Sequence, residues 1–335
     1  MKREAPAPAG RPPLLRVAGL SVGVKKGKNL IHAVRDIGFH IDPGEILGMA
    51  GESGCGKSLT ALALAGLLPG GTARTAGAVF LRGRNLCAMT DRELRRVRGR
   101  EIALIFQEPA LSLNPLIKIG KQIAESLELQ GEGDKAAIPD RVFALMDKLG
   151  MEHPQRLAQC YPHQLSGGAC QRALIALAVI GKPKLLIADE PVTALDTTTQ
   201  SQILDLLRSI NREWGTGILF ISHDLGLISR LCNRVLVMYA GRIVETGPAG
   251  AVFGHPAHAY TKDLLGAIPS WERKGTPLLN IPGKVPALEA YGPGCPFAPR
   301  CAKAGARCRA AFPEAVRLEP RRRVYCFAPE LEQDA

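Results

Sequence analysis

The stretch Gly51-Glu52-Ser53-Gly54-Cys55-Gly56-Lys57-Ser58 is the part of this 335-residue chain that predicts its fold. It follows the pattern of glycine, four residues and Gly-Lys-Ser, between an apolar run at residues 45–50 and a helix-forming run that begins at Lys57. A strand before and a helix after are the context that a phosphate-binding loop requires. Glycines let backbone N–H groups converge on a phosphate, and the helix N-terminus adds a favourable dipole. We therefore predict that residues 51–59, ending at Leu59, bind nucleotide phosphates, with Lys57 on the β- and γ-phosphates and Ser58 on Mg²⁺.

A second apolar run, Leu185-Leu186-Ile187-Ala188-Asp189-Glu190, ends in two acids. Two acids after a strand often only cap the next helix. With a phosphate loop upstream, the same pair predicts a Walker B strand, in which Asp189 holds Mg²⁺ and Glu190 polarises the attacking water as general base. Phosphoryl transfer depends on positioning and charge neutralisation, so an acid for the metal beside an acid for the water is the expected arrangement.

Apolar strand-like runs alternate with helical patterns along most of the chain. This alternation predicts an α/β fold with a mostly parallel sheet that is covered by helices on both faces. Strand-like patterns at residues 14–24 and 33–41 predict N-terminal antiparallel strands, and a mostly helical block predicts an insertion at about residues 111–180. Beyond Phe253 helical periodicity fades and eleven of the 25 prolines occur, which predicts a small, loop-rich C-terminal module.

Charge and composition exclude some classes of protein. The 43 Lys and Arg against 31 Asp and Glu give a net charge of +12, which suits nucleic acid, anionic lipid or nucleotide phosphates, or simply a basic surface. Arginines crowd residues 92–100, and a solvated helix face is the simplest interpretation of them. Aromatic residues make up 5% and interleave with no basic cluster, so base-stacking platforms are unsupported. No apolar run approaches the roughly 20 residues of a membrane span, and no export signal is evident, so we expect an intracellular protein.

Four of the nine cysteines, Cys295, Cys301, Cys308 and Cys326, lie in the last 41 residues, separated by five, six and seventeen residues. Four thiolates suit either tetrahedral Zn²⁺ or an iron–sulfur cluster. Zinc modules usually place cysteines in close pairs, and the spacing here is wider, so both metal centres stay open at this point. Free thiols are the third alternative, although a proline-rich tail without a staple should fold poorly.

Further motifs narrow the family. Leu165-Ser166-Gly167-Gly168, followed by Gln171-Arg172, resembles the signature motif of ABC-type ATPases, and the resemblance extends from about residue 14 to residue 254. Gln107 resembles the Q-loop glutamine, Ala194-Leu195-Asp196 the D-loop, and His223 the switch histidine. Two features depart from the family: Val24 stands where an aromatic usually stacks on adenine, and Ala169 replaces the commonest signature glutamine.

The resemblance implies a mechanism. Two such domains pack head to tail and enclose ATP between one phosphate loop and the partner's signature turn. Ser166, Gly167 and Gly168 would then contact ATP bound by the partner, and Asp196 would touch the partner across the interface. Gln107 would sense Mg²⁺ and the attacking water, and it would act in catalysis together with Glu190 and His223.

Other stretches resemble the oligopeptide/dipeptide importer branch. They include Gln107-Glu108-Pro109, Tyr161-Pro162-His163, His255-Pro256-Ala257-His258 and Gly294-Cys295-Pro296-Phe297-Ala298-Pro299-Arg300-Cys301. The proline- and alanine-rich start of the chain predicts a flexible tail at residues 1–13. The branch implies an ATPase domain at 14–254 and an extension at 255–335 that carries a [4Fe–4S] cluster, with zinc as the alternative. It further implies a second, related ATPase subunit in a heterodimer, two transmembrane permeases and, indirectly, a solute-binding protein, all serving peptide uptake at the cytoplasmic face of the inner membrane.

Alternatives stay open at this stage. The cargo could be a dipeptide, a longer peptide, a glutathione-like molecule or a metal chelate. A nucleic-acid-associated ABC ATPase would need a coiled-coil or zinc-hairpin insertion, and the gap from Gln107 to Leu165 is too short for one. An inactive regulatory subunit is opposed by Glu190. His255 and His258, three residues apart, suit a docking turn better than a metal site.

Overall fold

The structure is a computed structural model that describes residues 12–131, 135–193, 195–268 and 280–330. Most of the expected N-terminal tail, residues 1–11, lies outside the described residues. The strands are β1 (Leu15–Lys26), β2 (Asn29–Ile41), β3 (Ile46–Ala50), β4 (Thr72–Leu81), β5 (Arg84–Asn85), β6 (Ile102–Ile105), β7 (Leu185–Asp189), β8 (Gly217–Ser222), β9 (Arg234–Tyr239), β10 (Arg242–Pro248), β11 (Val316–Glu319) and β12 (Arg322–Val324).

Helices separate most of these strands. They are α1 (Lys57–Leu64), α2 (Asp91–Val97), α3 (Pro109–Ser112), α4 (Ile119–Gln130), α5 (Ile138–Lys148), α6 (Pro154–Ala158), α7 (Gly167–Val179), α8 (Thr197–Trp214), α9 (Leu225–Leu231), α10 (Ala249–Gly254), α11 (Ala259–Gly266) and α12 (Ala306–Ala310). None of those in the described ranges is long and apolar enough to cross a bilayer.

The main sheet has the strand order β11-β12-β10-β9-β3-β8-β7-β6 within the described residues. Its centre is parallel: β3 pairs with β8 and β9, and β7 pairs with β6 and β8. The central strands are mostly apolar, with polar residues only at their ends, and β3, β7 and β8 are buried at every residue. Continuous apolar strands are typical of parallel sheets that helices cover on both faces, so the predicted α/β fold is confirmed.

A second sheet, antiparallel and ordered β2-β1-β4-β5, covers the side of the main sheet where α1 lies. The predicted strands at residues 14–24 and 33–41 are β1 and β2. Strand β4 was not predicted, because its first half, Thr72–Ala76, is polar or exposed and shows no apolar alternation. Apolar side chains of this sheet, among them Leu20 and Val79, pack on Met49 of β3 and form one of two cores.

Helices α3 to α7 form the helical block, at residues 109–179. Ile123 and Leu127 of α4 and Val142 and Met146 of α5 are buried within it, and they belong to the second core. This core continues under the parallel sheet to Phe220. The block therefore packs on the face of the sheet opposite the antiparallel strands.

The arginine-rich run at residues 92–100 contains α2, whose first turn is held by a capping box between Thr90 and Glu93. Four of the arginines, at 92, 95, 96 and 100, are exposed, in agreement with a solvated face. Arg98 differs, because its guanidinium donates to the carbonyl oxygens of Ala65 and Gly66 at the end of α1. It thus satisfies backbone groups that the helix leaves free.

The C-terminal extension is joined to the main sheet through two short strands. Strand β12 pairs with β10, Glu245 opposite Val324, and β11 pairs with β12. Phe297 of the extension is fully buried and packs edge-on against Tyr239 of β9, with Tyr260 beside both rings. A short polar hairpin that completes a distant sheet edge has no local apolar pattern, so the sequence offered no signal for it.

Candidate active site

The phosphate loop connects the buried strand β3 to α1, as predicted. Gly51 has φ +151°, and a Cβ there would lie 2.2 Å from the carbonyl oxygen of Met238, so only glycine fits. Lys57 is buried, and its Nζ donates to the carbonyl oxygens of Gly51 at 2.7 Å and Glu52 at 3.0 Å. The ammonium is therefore held across the loop that would receive the phosphates.

Asp189 ends β7 beside this loop. It is 7% exposed, and its carboxylate accepts a hydrogen bond from the Ser58 hydroxyl. Burial, with the neighbouring Glu190, raises the pKa of Asp189. Its Oδ1 atom has no hydrogen-bond partner among the described residues. A buried carboxylate oxygen without a partner, next to a hydroxyl, matches the oxygen ligands that Mg²⁺ prefers.

Glu190 follows Asp189 and is surrounded by three polar groups. Gln107 Nε2 donates to Glu190 Oε2 at 3.1 Å, and the Thr193 hydroxyl donates to the same oxygen at 3.0 Å. His223 Nδ1 lies 3.1 Å from Glu190 Oε1. The side chain of Glu190 is 12% exposed, and its φ of +49° is unusual for a residue other than glycine.

Topology explains why these residues meet. Gln107 lies just after β6, Glu190 just after β7, and His223 just after β8, and these three strands are parallel neighbours. The carboxyl ends of parallel strands lie at one edge of the sheet, where α/β proteins place their binding sites. The structure thus brings together the predicted Gln107, Glu190 and His223. It adds Thr193, which our sequence analysis did not assign to the site.

The signature turn and the D-loop aspartate lie at two other helix starts. Ser166 caps α7, and its Oγ accepts a hydrogen bond from the Ala169 N–H at 3.3 Å. Asp196 caps α8 by accepting from the Thr199 N–H at 2.9 Å and hydroxyl at 2.6 Å, and these bonds lower the pKa of Asp196. Both residues are exposed. Ala194 of the predicted D-loop lies outside the described residues.

The extension contacts the phosphate loop at Glu52, which the sequence did not predict. The Glu52 N–H donates to Tyr260 Oη at 2.9 Å, and Arg300 Nη1 donates to Glu52 Oε2 at 3.0 Å. Arg300 belongs to the Gly294–Cys301 motif, so its presence was visible, but the contact between residues 52 and 300 was not.

The four C-terminal cysteines line one mostly apolar cavity together with His258 and Phe297. Burial raises the pKa of Cys295 to about 11, and the neighbouring thiols of Cys326 and Cys308 act in the same direction. Within the described ranges, however, no three His, Cys, Asp or Glu side chains are grouped so that they could hold a metal ion. The expected metal site is therefore not confirmed.

His258 is 2% exposed and lines the same cavity. Its Nδ1 accepts from the Tyr260 N–H at 3.0 Å, and burial lowers the pKa of His258 to about 4. The ring is thus neutral at pH 7 and carries its proton on Nε2, an atom without a partner in the part of the chain that the structure describes. His255 is exposed, whereas Ala257 and His258 are buried, and their N–H groups donate to the Glu245 carboxylate at 3.0 Å and 2.9 Å.

Comparisons with known proteins agree with these features. The family model described as ABC transporter matches residues 34–193, and the model described as oligopeptide/dipeptide transporter, C-terminal region, matches residues 244–308. A probable peptide ABC transporter ATP-binding protein of Sinorhizobium fredii is 42% identical over 94% of this chain and 94% of its own length. A putative peptide import ATP-binding protein of Brucella abortus is 45% identical over 88% of this chain and 89% of its own length.

The oligopeptide transport ATP-binding protein OppD of Mycobacterium tuberculosis is 43% identical over 95% of this chain but only 52% of its own length. Among solved structures, the dimeric post-hydrolysis structure of the ATP-binding cassette MJ0796 with ADP and Pi matches with a TM-score of 0.64 and 26% identity, over 70% of this chain and 98% of that one. CbiO1 of Clostridium perfringens matches with a TM-score of 0.62 and 26% identity, over 73% and 92%.

Proposed function

Because the chain belongs to the ATPase subunits of oligopeptide/dipeptide ABC transporters, we propose that it hydrolyses ATP to drive peptide import through membrane permeases. The observation that best supports this proposal is the set of contacts around Glu190, the proposed general base, which Gln107, Thr193 and His223 hold in place. An inactive subunit would have no need of this arrangement. A chain whose base is already oriented is suited to catalysis.

Binding of the nucleotide uses the phosphate loop. Backbone N–H groups of residues 51–59 and the start of α1 receive the phosphates, and Lys57 exchanges its loop carbonyls for phosphate oxygens. Ser58 and Asp189 would hold Mg²⁺, with Gln107 as an additional ligand. The ion supplies neutralisation of the phosphate charge. Val24 would contact adenine without the usual aromatic stacking.

Water activation belongs to Glu190, which accepts the proton of the attacking water. Gln107 and Thr193 orient its Oε2 atom, and His223 lies at Oε1, where it would sense the γ-phosphate. The Glu190→Gln substitution keeps the size and shape of the side chain and removes its ability to accept a proton. We expect the assembled complex to retain ATP binding and to lose hydrolysis at this site by about 10²-fold or more.

The matched control for this variant is Glu314→Gln, an exposed acid of the extension. Its hydrolysis should equal that of the wild type. Hydrolysis by Glu190→Gln at the wild-type rate would contradict the assignment of Glu190, and would place turnover at the partner's site.

The partner subunits are inferred from exposed features. Ser166, Gly167 and Asp196 are exposed and would meet the ATP and the surface of a second, related ATPase subunit. The helical block carries three highly exposed leucines, Leu111 at 81%, Leu116 at 84% and Leu129 at 81%, as expected of a surface that docks on a permease. We expect the chain to co-purify with two permeases and a second ATPase at the cytoplasmic face of the membrane, supplied by a solute-binding protein.

Peptide is the proposed cargo because the relatives named above are described as peptide transporters. Uptake of a labelled dipeptide by cells with and without Glu190→Gln tests this, and competition with a nickel chelate or with glutathione tests the alternatives. If DNA, and not the permeases, stimulated ATP hydrolysis, the alternative of a nucleic-acid-associated ABC ATPase would be favoured.

We further propose that Cys295, Cys301, Cys308 and Cys326 hold a [4Fe–4S] cluster that staples the extension. Two observations support the cluster. The four cysteines line one cavity, and the buried Nε2–H of His258, which lines the same cavity, has no hydrogen-bond acceptor among the described residues. A cluster joins each thiolate to a different iron, so its ligands lie farther apart than the four around one zinc ion. The four cysteines surround a cavity but are not gathered around a single position, and this favours the cluster over one zinc ion.

Metal analysis of anaerobically purified protein tests the cluster. We expect about four irons and matching sulfide per chain, with visible charge-transfer absorbance. Cys301→Ser should lose the iron, and Cys160→Ser, a cysteine of the helical block, should keep it. Stoichiometric zinc without iron would reject the cluster in favour of the alternative.

A further inference from the structure

Glu52, the second residue of the phosphate loop, is held by the C-terminal extension on two sides. Its N–H donates to the Tyr260 hydroxyl at 2.9 Å. Its carboxylate accepts hydrogen bonds from both terminal nitrogens of Arg300, Nη1 at 3.0 Å and Nη2 at 3.4 Å. On the third side, its carbonyl oxygen accepts from Lys57 Nζ at 3.0 Å. The conformation of the loop's entrance therefore depends on residues more than 200 positions away in sequence.

Arg300 is rigidly placed for this contact. Its side chain is 5% exposed, and Nε donates to the Pro282 carbonyl at 2.8 Å while Nη2 donates to the Ile281 carbonyl at 3.1 Å. Nη1 also donates to the Tyr239 hydroxyl at 3.2 Å. A guanidinium whose donors are all directed loses little freedom when it binds a carboxylate, and such paired, charge-assisted bonds are the strong ones.

The charge balance gives the pair a role in nucleotide binding. The Glu52 carboxylate is 26% exposed at the entrance of a site that receives a polyanion. An uncompensated carboxylate there would repel the phosphates, and partial burial would weaken the screening of that repulsion by water. The Arg300 guanidinium neutralises it, and the bidentate geometry fixes the peptide whose carbonyl holds Lys57.

We propose that Arg300 is a positioning residue of the ATP site, which sets ATP affinity through Glu52 and makes the extension part of that site. Arg300 acts on ATP binding through Glu52, by neutralising its charge and orienting the loop. The inference goes beyond the proposed function, because it concerns ATP binding by this chain and holds whatever the cargo.

The test measures the dissociation constant of the full chain for a fluorescent ATP analogue with Mg²⁺. Arg300→Met should weaken binding about tenfold. Arg300→Lys, which keeps the charge and loses the fork, should fall between Arg300→Met and wild type. Adding Glu52→Gln to Arg300→Met removes the uncompensated charge and should recover several-fold in affinity. Arg309→Met, an exposed arginine of the same extension, is the matched control and should bind like wild type.

In the assembled complex, Arg300→Met should raise KM for ATP and leave kcat at saturating ATP near the wild-type value. Equal affinities for Arg300→Met and Arg309→Met would overturn the proposal. So would failure of Glu52→Gln to recover affinity, because a merely structural role for Arg300 would not respond to the charge of Glu52. If Arg300→Met does not fold, Arg300→Lys carries the comparison. If the variants rank in ATP affinity as expected but the wild-type complex shows no ATP-driven uptake, the proposed function is rejected and this inference stands.

Discussion

Replacing Glu245→Leu should separate the extension from the main sheet. Glu245 is fully buried in β10, and its carboxylate accepts from the N–H groups of Ala257 at 3.0 Å and His258 at 2.9 Å. It also pairs with Arg322 of β12 at 3.4 Å, whose side chain is 7% exposed. Leucine would leave two buried donors unsatisfied, at about 1–3 kcal/mol each, and one buried cation without its main partner. We expect a loss of about 3–5 kcal/mol, the usual cost of breaking a buried pair.

The assay is thermal and urea unfolding of the full chain, together with hydrogen exchange at the Ala257 and His258 amides. The melting temperature should fall by roughly 10 °C, and both amides should lose protection. Glu319→Gln is the matched control, because Glu319 is 52% exposed and contacts the same Arg322 at 3.5 Å; its effect should stay below about 0.5 kcal/mol. If Glu245→Leu were no more destabilising than Glu319→Gln, the reasoning about the buried carboxylate would be refuted.

Three further changes have defined outcomes. Thr193→Val removes the hydroxyl that orients Glu190, so kcat of the complex should fall about fivefold with KM for ATP unchanged, and an equal change in both would contradict a purely catalytic effect. Asp196→Ala removes the cap of α8 and should lower the melting temperature, whereas Asp196→Asn, which can still cap the helix, should keep most of the wild-type stability. Burial and, to a smaller extent, Arg234 lower the pKa of His40 below the 6.5 of an unfolded chain. The free energy of unfolding should therefore be highest above pH 6.5 and fall as the pH drops below it. In urea titrations His40→Gln should flatten this pH dependence, and an unchanged dependence would exclude His40 as its source.

Much of the site could be predicted because its motifs are local. The loop at residues 51–59 and the acids Asp189 and Glu190 each depend on a strand, a turn and the next residue, and that order is written in consecutive positions. The approach of Gln107 and His223 to Glu190 was predicted from family resemblance, and the common edge of the parallel strands explains it.

Thr193 was missed for a different reason. Its hydroxyl is one of many in the chain, and only the turn after Glu190 directs it to the carboxylate. The cysteines were predicted as a group, and the structure places them around one cavity without gathering them as ligands of a single ion.

The sequence by itself determined the fold class, the phosphate loop and the acids that follow β7, because these depend on composition and spacing within a few residues. Only the tertiary structure decided that β12 completes the main sheet and that Arg300 and Tyr260 hold Glu52. Contacts of this kind join segments far apart in the chain through burial and geometry. They leave no periodic pattern in either segment, since each partner is chosen by the shape and charge of the other once the chain has folded.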